Sequence, residues 1–507
     1  MLMRGMMRYS AGTVKEPEMG ILMEPVFELP LTVPPRSSGD RLRSLHGQLR
    51  AAILEGRLQP GLRLPSTRAF AQAQGVSRNT AMAAYELLLS EGYLVTRQGA
   101  GSYVADVLPD LSPRRPVRER AANDRRLNPF WARAAETAVP RPRPERFDFR
   151  LGIPEVGHFP LDVWRRLSGR SMRNYSRTPL DYGMPHGLPA LREAIARYVS
   201  YARAVACRAD DITVTAGAQQ AFDLLARILV TPRRTVVAVE NPGYPPVRRA
   251  FEAAGGKIVT VPVDTEGLVV ERIPANATVI CVTPSHQFPL GCAMSARRRA
   301  ALLEMAHTRG AVVIEDDYDS EFRFDGRPLD ALQTLDRTES VFYVGTFSKN
   351  LFPALRLGFA VAPGWAQRAL GEAKRCADSH CSPIVQEALA AFISEGHLAR
   401  HVRRMRRIYG ARREVLLEGL RGQLGRWLEP VPSAAGLHLT ALAKGPVDIA
   451  ALVECARQHE VSVVPIDRYR IGRARNSGLV FGYGSLEVDG IVAALARLRN
   501  VWAQVAP

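Results

Sequence analysis

The stretch that most constrains this chain is Val344-Gly345-Thr346-Phe347-Ser348-Lys349-Asn350-Leu351-Phe352-Pro353-Ala354-Leu355-Arg356, an apolar strand that stops in hydroxyls, one lysine and then an arginine. A lysine desolvated at a strand end can hold an aldehyde as a Schiff base, while hydroxyls and an arginine neutralise a phosphate close by. Pyridoxal phosphate carries both groups. Ser-x-Lys alone is common, and a single lysine is most often a solvated surface residue. The pattern gains weight from Val312-Val313-Ile314-Glu315-Asp316-Asp317-Tyr318, a second apolar strand upstream that ends in acids and a phenol.

The chain has 507 residues, too many for one ordinary core, so two or three domains are expected. A formal net charge of +18 points to an anionic partner, with nucleic acid the first candidate and simple solubility the plain alternative. Six scattered cysteines with no Cys-x-x-Cys spacing favour reduced thiols, and Cys376 to Cys381 lacks the second ligand pair of a metal clip, so no metal is expected. No apolar run has the length of a signal peptide or a membrane span, which predicts a cytoplasmic protein without membrane attachment. Residues 1–35 read as an irregular extension, the first 22 of them loosely ordered.

Residues 36–105 form a separate pattern. Leu42, Leu45, Leu49, Ala52 and Ile53 recur at helical spacing up to Gly56. Ser66 caps a short second helix that carries Arg68, and Gly75 separates it from a third that Ser77 caps. Two helices about a glycine-bearing turn are a helix-turn-helix signature. The third helix begins with Arg78, Asn79 and Thr80, where a recognition helix meets base edges. Tyr93 to Val104 alternates about a Gly-rich tip like a hairpin and puts Arg97 on a wing. The run Leu64-Pro65-Ser66-x-Arg68, Gly75-Val76-Ser77-Arg78-Asn79-Thr80, Glu91-Gly92-Tyr93-Leu94 and Gly99-x-Gly101 resembles the GntR-type winged helix. That resemblance implies operator DNA as a partner.

Residues 106–146 read as a basic linker: from Pro113 to Arg146 there are ten arginines against four acids, several prolines and little apolar periodicity. Its arginines either add phosphate contacts or only keep a tether solvated.

From 147 to 507, apolar strands alternate with helical patterns, as in an α/β domain with a mainly parallel sheet, and a smaller α/β subdomain is expected from about residue 425. Ile212–Thr215 is a strand, and Gly217, Ala218 and Gln219 open a helix whose first N–H groups can cradle a phosphate. The strand Val236 to Val239 leads to Glu240-Asn241-Pro242-Gly243-Tyr244. The Arg-rich run Arg400 to Arg413 reads as the exposed face of a long helix.

These stretches resemble fold-type I, class I/II aminotransferases. The resemblance implies that Asp316 pairs with the pyridinium nitrogen, Tyr318 with the ring oxygen, Tyr244 with the ring face, and Tyr182 with the phosphate of a partner subunit. It also implies that Gly217, Ala218, Gln219, Thr346, Ser348 and Arg356 surround the phosphate on Lys349. Where such enzymes have Asn-Pro-x-Asn-Pro-Thr-Gly, this chain has Thr283-Pro284-Ser285-His286-Gln287-Phe288-Pro289-Leu290-Gly291, so His286 or Gln287 stands in for the second asparagine. A second departure is in Leu479-Val480-Phe481-Gly482-Tyr483, apolar where these enzymes place a carboxylate-binding arginine; Arg470, Arg473 or Arg475 from the preceding loop are the candidates to supply that charge. With the winged helix included, the whole chain resembles MocR/GabR-type regulators. The resemblance implies a homodimeric regulator that senses an amine, an amino acid or pyridoxal phosphate itself. The alternatives are a metabolic aminotransferase with a fused DNA-binding domain and a repressor with a vestigial cofactor site.

Overall fold

Contacts divide the chain into two compact units, Met1–Ala121 and Ala122–Pro507. The computed structural model describes residues 29–35, 39–97, 100–106, 126–136, 145–176, 181–326, 329–472 and 477–505.

In the first unit the expected pattern becomes α1 (Arg41–Leu54), α2 (Thr67–Ala73), α3 (Arg78–Ser90) and the antiparallel hairpin β1 (Leu94–Arg97) with β2 (Gly101–Val104). α1 buries Leu45, Leu49, Ala52 and Ile53 against Phe70, Ala84, Tyr85 and Leu88 of the other two helices. Ser66 Oγ accepts from Ala69 N at 3.2 Å and Ser77 Oγ from Thr80 N at 3.1 Å, so both predicted caps satisfy otherwise orphaned helix donors. The Tyr85 hydroxyl, buried in the core, donates to Pro65 O at 3.1 Å and fixes α3 against the start of α2. The chain before α1 is more integrated than its irregular pattern suggests: Leu29, Leu31 and Val33 pack on this core, and the Gln48 amide bonds both backbone groups of Thr32. A coil with apolar residues at alternate positions can dock without a regular ladder, which periodicity alone does not reveal.

The second unit is built on an eight-stranded sheet in the order Ile212–Thr215, Gly358–Val361, Val341–Thr346, Val312–Asp317, Ala277–Val282, Val236–Asn241, Lys257–Asp264, Gly267–Leu268. The five strands from Val341–Thr346 to Lys257–Asp264 run parallel. Their carboxyl ends share one edge, the place where ligands bind in open α/β sheets. Helices cover both faces, which is why the strands read as continuous apolar runs.

A smaller sheet, Leu428–Pro430, His438–Ala443, Gly478–Gly482 and Val464–Pro465, is antiparallel throughout. The expected strand Val461 to Val464 is split at Val463. Its first half pairs in parallel with Phe147–Asp148, and Phe147 and Phe149 enter the core formed by the helix His397–Arg421 and Trp502. The smaller subdomain therefore does not begin at 425; it also takes the first residues after the linker. Within the linker, Pro129–Glu136 is helical, with Trp131 59% exposed and edge-on to Phe130. The Pro140 to Pro144 segment and the first 28 residues lie outside the described residues. The Arg-rich helix also departs from expectation. Arg403, Arg404, Arg406 and Arg407 are exposed, but Arg412 is fully buried between Glu155 (2.7 Å), Glu487 (2.7 Å) and Gly484 O (2.6 Å).

One buried ion pair joins the sheet to its surroundings. Arg203, the last residue of the helix Pro189–Arg203, reaches Asp317 Oδ2 at 2.7 Å, Ser285 Oγ at 2.7 Å and Leu329 O at 2.6 Å, and Tyr343 also donates to Asp317 at 2.7 Å. Burial alone would raise the Asp317 pKa, and the guanidinium with these donors reverses that to leave it lowered. Arg203→Ala should cost about 3–5 kcal/mol, because it strands a buried carboxylate. Urea unfolding followed by tryptophan fluorescence measures the loss; a change below about 1 kcal/mol would show that water or another cation replaces the arginine.

Candidate functional site

Strand register sorts the acids of Val312–Asp317. Successive side chains alternate faces. Glu315 accepts from Leu332 N (2.8 Å) and Gln333 N (2.9 Å), and Asp317 takes Arg203, so both serve the scaffold. Asp316 lines a pocket with Tyr244, Glu240, Thr283, Cys281 and Tyr469. Its Oδ1 is buried without a hydrogen-bond partner, and burial, followed by Asp317, Asp319 and Glu240, holds its pKa well above the usual carboxylate range.

Lys349 follows the adjacent strand, whose Val344 pairs with Asp316. Its Nζ donates to Gly152 O at 2.7 Å. Burial lowers its pKa, and Asp319 and Asp316 oppose that, so the amine is poised nearer neutrality than a surface lysine. Gly152 has φ +75°, and a Cβ there would sit 2.6 Å from the Lys349 Nζ, so glycine is what lets the lysine lie across this turn.

Across three neighbouring strands Thr346, Gly358 and Thr215 are in register, and the middle residue of this row, Gly358, lies against Gly217. Thr346 Oγ1 accepts from Ser348 N at 3.1 Å and bonds Ser348 Oγ at 3.0 Å. Gly217, with φ +81°, caps the helix Ala218–Leu229, whose first N–H groups, those of Ala218 and Gln219, lack intrahelical partners by geometry. A Cβ on Gly217 would come within 3.0 to 3.2 Å of the Arg356 guanidinium, which itself donates to Ala216 O at 2.6 Å. A helix start, two hydroxyls and a guanidinium thus converge, a constellation suited to a phosphate.

Tyr244 is 38% exposed, edge-on to Phe288 at 5.2 Å, and burial of its phenol end pushes its pKa up to about 12. Tyr318 donates to His286 O at 3.0 Å and contacts His286 Nδ1 at 2.9 Å. His286 is held on every side: Asp319 lies 3.0 Å from Nδ1 and Ser433 Oγ 3.3 Å from Nε2. Gln287 donates to Phe288 O (2.7 Å), Pro242 O (2.9 Å) and Glu240 (3.3 Å) and accepts from Leu290 N (3.1 Å). Of the two stand-ins for asparagine, Gln287 is consumed by its own loop, while His286 positions the Tyr318 hydroxyl. Tyr182 stands apart, 85% exposed, with the His380 ring 6.3 Å from its own among the described residues. Arg470 is 3.9 Å from Asp467; Arg473 and Arg475 lie outside the described residues.

Sequence reasoning passed over Glu240, Gly152, Asp319, Ser433 and Tyr469. Glu240 is the penultimate residue of its strand, as Asp316 is of Val312–Asp317, so a signal existed. The others arrive through long-range packing and leave no local mark.

In the first unit Arg68, Arg78 and Asn79 are exposed and Thr80 is half-buried, with its hydroxyl 2.7 Å from Ser77 Oγ. The Ser66 and Ser77 hydroxyls are engaged in capping. Arg97 lies over the Tyr103 ring at 4.6 Å and 3.7 Å from Asp106, so the wing holds its cation in place.

Comparison with known proteins gives a consistent result for both units. Residues 43–104 match the family of bacterial regulatory proteins, gntR family, and residues 149–478 match aminotransferase class I and II. The probable rhizopine catabolism regulatory protein MocR of Rhizobium meliloti is 37% identical over 91% of this chain and 93% of its own length. The HTH-type pyridoxine biosynthesis transcriptional regulator PdxR of Corynebacterium glutamicum is 32% identical over 93% of this chain and 98% of its own. A kynurenine aminotransferase of Pyrococcus horikoshii, crystallised with PMP, superposes with a TM-score of 0.66 at 26% identity, over 74% of this chain and 94% of that one. Both of these relatives span the two units and are regulators, which goes against the alternative of a metabolic enzyme with a DNA-binding appendage.

Glu240 carries a pH signature. Its Oε2 accepts from Thr283 N and Oγ1, its Oε1 has no partner, and burial pushes its pKa up to about 7. Between the ordinary carboxylate range and about 7 the folded chain holds a proton that the unfolded chain has lost, so stability falls as pH rises through that window. Glu240→Gln should gain on the parent by roughly 2–3 kcal/mol between about pH 5 and about pH 8, read from urea midpoints of cofactor-free protein. Parallel pH profiles would show that Glu240 is ionised throughout.

Proposed function

We propose, from the premise that this chain belongs to the MocR group of gntR-family transcriptional regulators with an aminotransferase class I and II domain, that it reports the state of a pyridoxal phosphate on Lys349 to operator DNA. The observation that carries this reading is Asp316 Oδ1, a buried acceptor without a donor at the strand end beside Lys349. A carboxyl in that state suits a ligand that brings its own N–H, as a pyridinium ring does. The Gly217 cradle with Arg356, Thr346 and Ser348 suits a phosphate, and the Tyr318 hydroxyl suits a ring oxygen.

Bound there, the cofactor supplies an aldehyde carbon that takes up one amine in exchange for another. Lys349, its pKa lowered by burial, offers the resident amine. Asp316 would face the ring nitrogen and Tyr244 the ring, while Asp319 and Ser433 fix His286 so that the Tyr318 hydroxyl keeps its aim. Lys349 Nζ, when not joined to the cofactor, would donate to Gly152 O, which belongs to the segment that follows the linker. The working form is a homodimer in the cytoplasm, in which a second copy covers the exposed Tyr182. Arg78 and Asn79 read bases in the major groove, and Arg97 with the linker arginines contacts phosphates. The two relatives are named for different processes, one for rhizopine catabolism and the other for pyridoxine biosynthesis.

Lys349→Ala should abolish borohydride-fixable attachment of pyridoxal phosphate while leaving operator affinity within about tenfold, because the winged helix is a unit of its own. Mass spectrometry of the reduced protein decides: cofactor still fixed to the variant chain would refute the assignment.

A salt titration tests the reader. Arg78→Ala and Asn79→Ala should each weaken operator binding by about 1–3 kcal/mol and random duplex far less, whereas Arg97→Ala should weaken both alike and lower the salt slope by roughly one unit. Equal losses on operator and random DNA for Arg78→Ala and Asn79→Ala would mark α3 as a packing helix only.

A further inference from the structure

Resting on the reading above, we infer that Glu240 is a second acid for the cofactor's ring nitrogen: it gives up a proton when the ring is seated and, as an anion beside Asp316, keeps that nitrogen protonated.

Glu240 and Asp316 line one pocket from different strands, Val236–Asn241 and Val312–Asp317. They are 7% and 6% exposed, and each keeps one carboxyl oxygen, Oε1 and Oδ1, buried and without a hydrogen-bond partner among the described residues. The other oxygen of Glu240 does the structural work: Oε2 accepts from Thr283 N, Thr283 Oγ1 and Gln287 Nε2. An amide oxygen would accept from the same donors, so the loop asks for an acceptor and not for an acid. What an acid adds is a proton that can leave.

Two carboxylates in one water-poor pocket oppose each other's ionisation, so with no cation present they retain protons. Burial pushes Glu240 up to about 7, and burial, then Asp317, Asp319 and Glu240, hold Asp316 well above the carboxylate range. A protonated ring nitrogen reverses that balance, because it brings a donor to an orphan oxygen and a positive charge to both acids. In mildly acidic water the ring arrives already protonated. The step at Glu240 is then the loss of its carboxyl proton to solvent, with the O–H electron pair left on the carboxylate. The other ionisable groups around these acids take no part. Burial pushes up the thiols of Cys281 and Cys292 and the phenols of Tyr244, Tyr318 and Tyr469, so all stay neutral on both sides of neutrality. Asp319 is engaged by His286 and Leu437 N, and Arg248 lies 3.6 Å from Glu252.

The test is calorimetry of the full-length protein, freed of cofactor and titrated with pyridoxal phosphate in buffers of equal pH but unequal ionisation heat, which counts the protons released. At about pH 6 the parent should release about one proton more than Glu240→Gln, and at about pH 8, where Glu240 has already ionised, the two counts should agree. Lys349 and the phosphate contribute alike in both proteins and cancel in the difference. A Glu240 that served only to hold Thr283 and Gln287 would give equal counts at both pH values, since glutamine offers the same acceptor. Equal counts at about pH 6, with Schiff-base absorbance present in both proteins, would overturn the inference and leave the cofactor reading intact. Parent protein that never shows that absorbance would overturn both. A measurement that needs no variant is nitrogen NMR of the parent loaded with ¹⁵N-labelled cofactor: the ring nitrogen should still be protonated at about pH 8, and an unprotonated signal there would overturn the inference as well.

Discussion

The buried pair of Arg203 and Asp317 is the interaction on which the site depends. It pins the strand Val312–Asp317 from one face, and because side chains alternate along a strand, it thereby commits Asp316 to the other. A slip of one residue would exchange a scaffold acid for a site acid. Tyr343 and Ser285 join the same carboxylate and guanidinium, so the neighbouring strand and the His286 loop are tied to one electrostatic knot.

Much of this was legible in the sequence, and the reasons are local. Caps at Ser66 and Ser77, the hairpin, and the strands ending at Thr215, Asp317 and Thr346 are short-range signals, and short-range physics governs them. What was not legible depends on partners far along the chain. Nothing near Gly152 announces that Lys349 will lie across it, and nothing near Phe147 announces a strand at Val461. The Arg-rich helix shows the same limit: helical spacing placed Arg403 and Arg407 outside correctly, but the burial of Arg412 is decided by Glu155 and Glu487.

The polar chain from Ser433 through His286 to Tyr318 joins the smaller subdomain to the large sheet at the site itself. A second tie forms where Asn241 exchanges two amide hydrogen bonds with Ile471 and Gly243 N donates to Tyr469 O. Asn241, Tyr469 and Ile471 of this tie line the same pocket as Asp316, so the subdomain junction is part of the site wall. A ligand that disturbs either tie alters the other through the sheet between them.

The parallel pairing of Phe147–Asp148 with Val461–Ser462 also orders events in time. The winged helix has left the ribosome long before Val461 is made, and its core is built from the first unit's own residues. At about 5–20 residues per second, some three hundred residues of synthesis separate the two strands by roughly 15–60 s. During that interval Phe147 and Phe149 have no core to enter, since its other half, including Trp502, comes at the end of the chain. A nascent chain would therefore present a DNA reader that is already folded and a regulatory unit that is not yet closed.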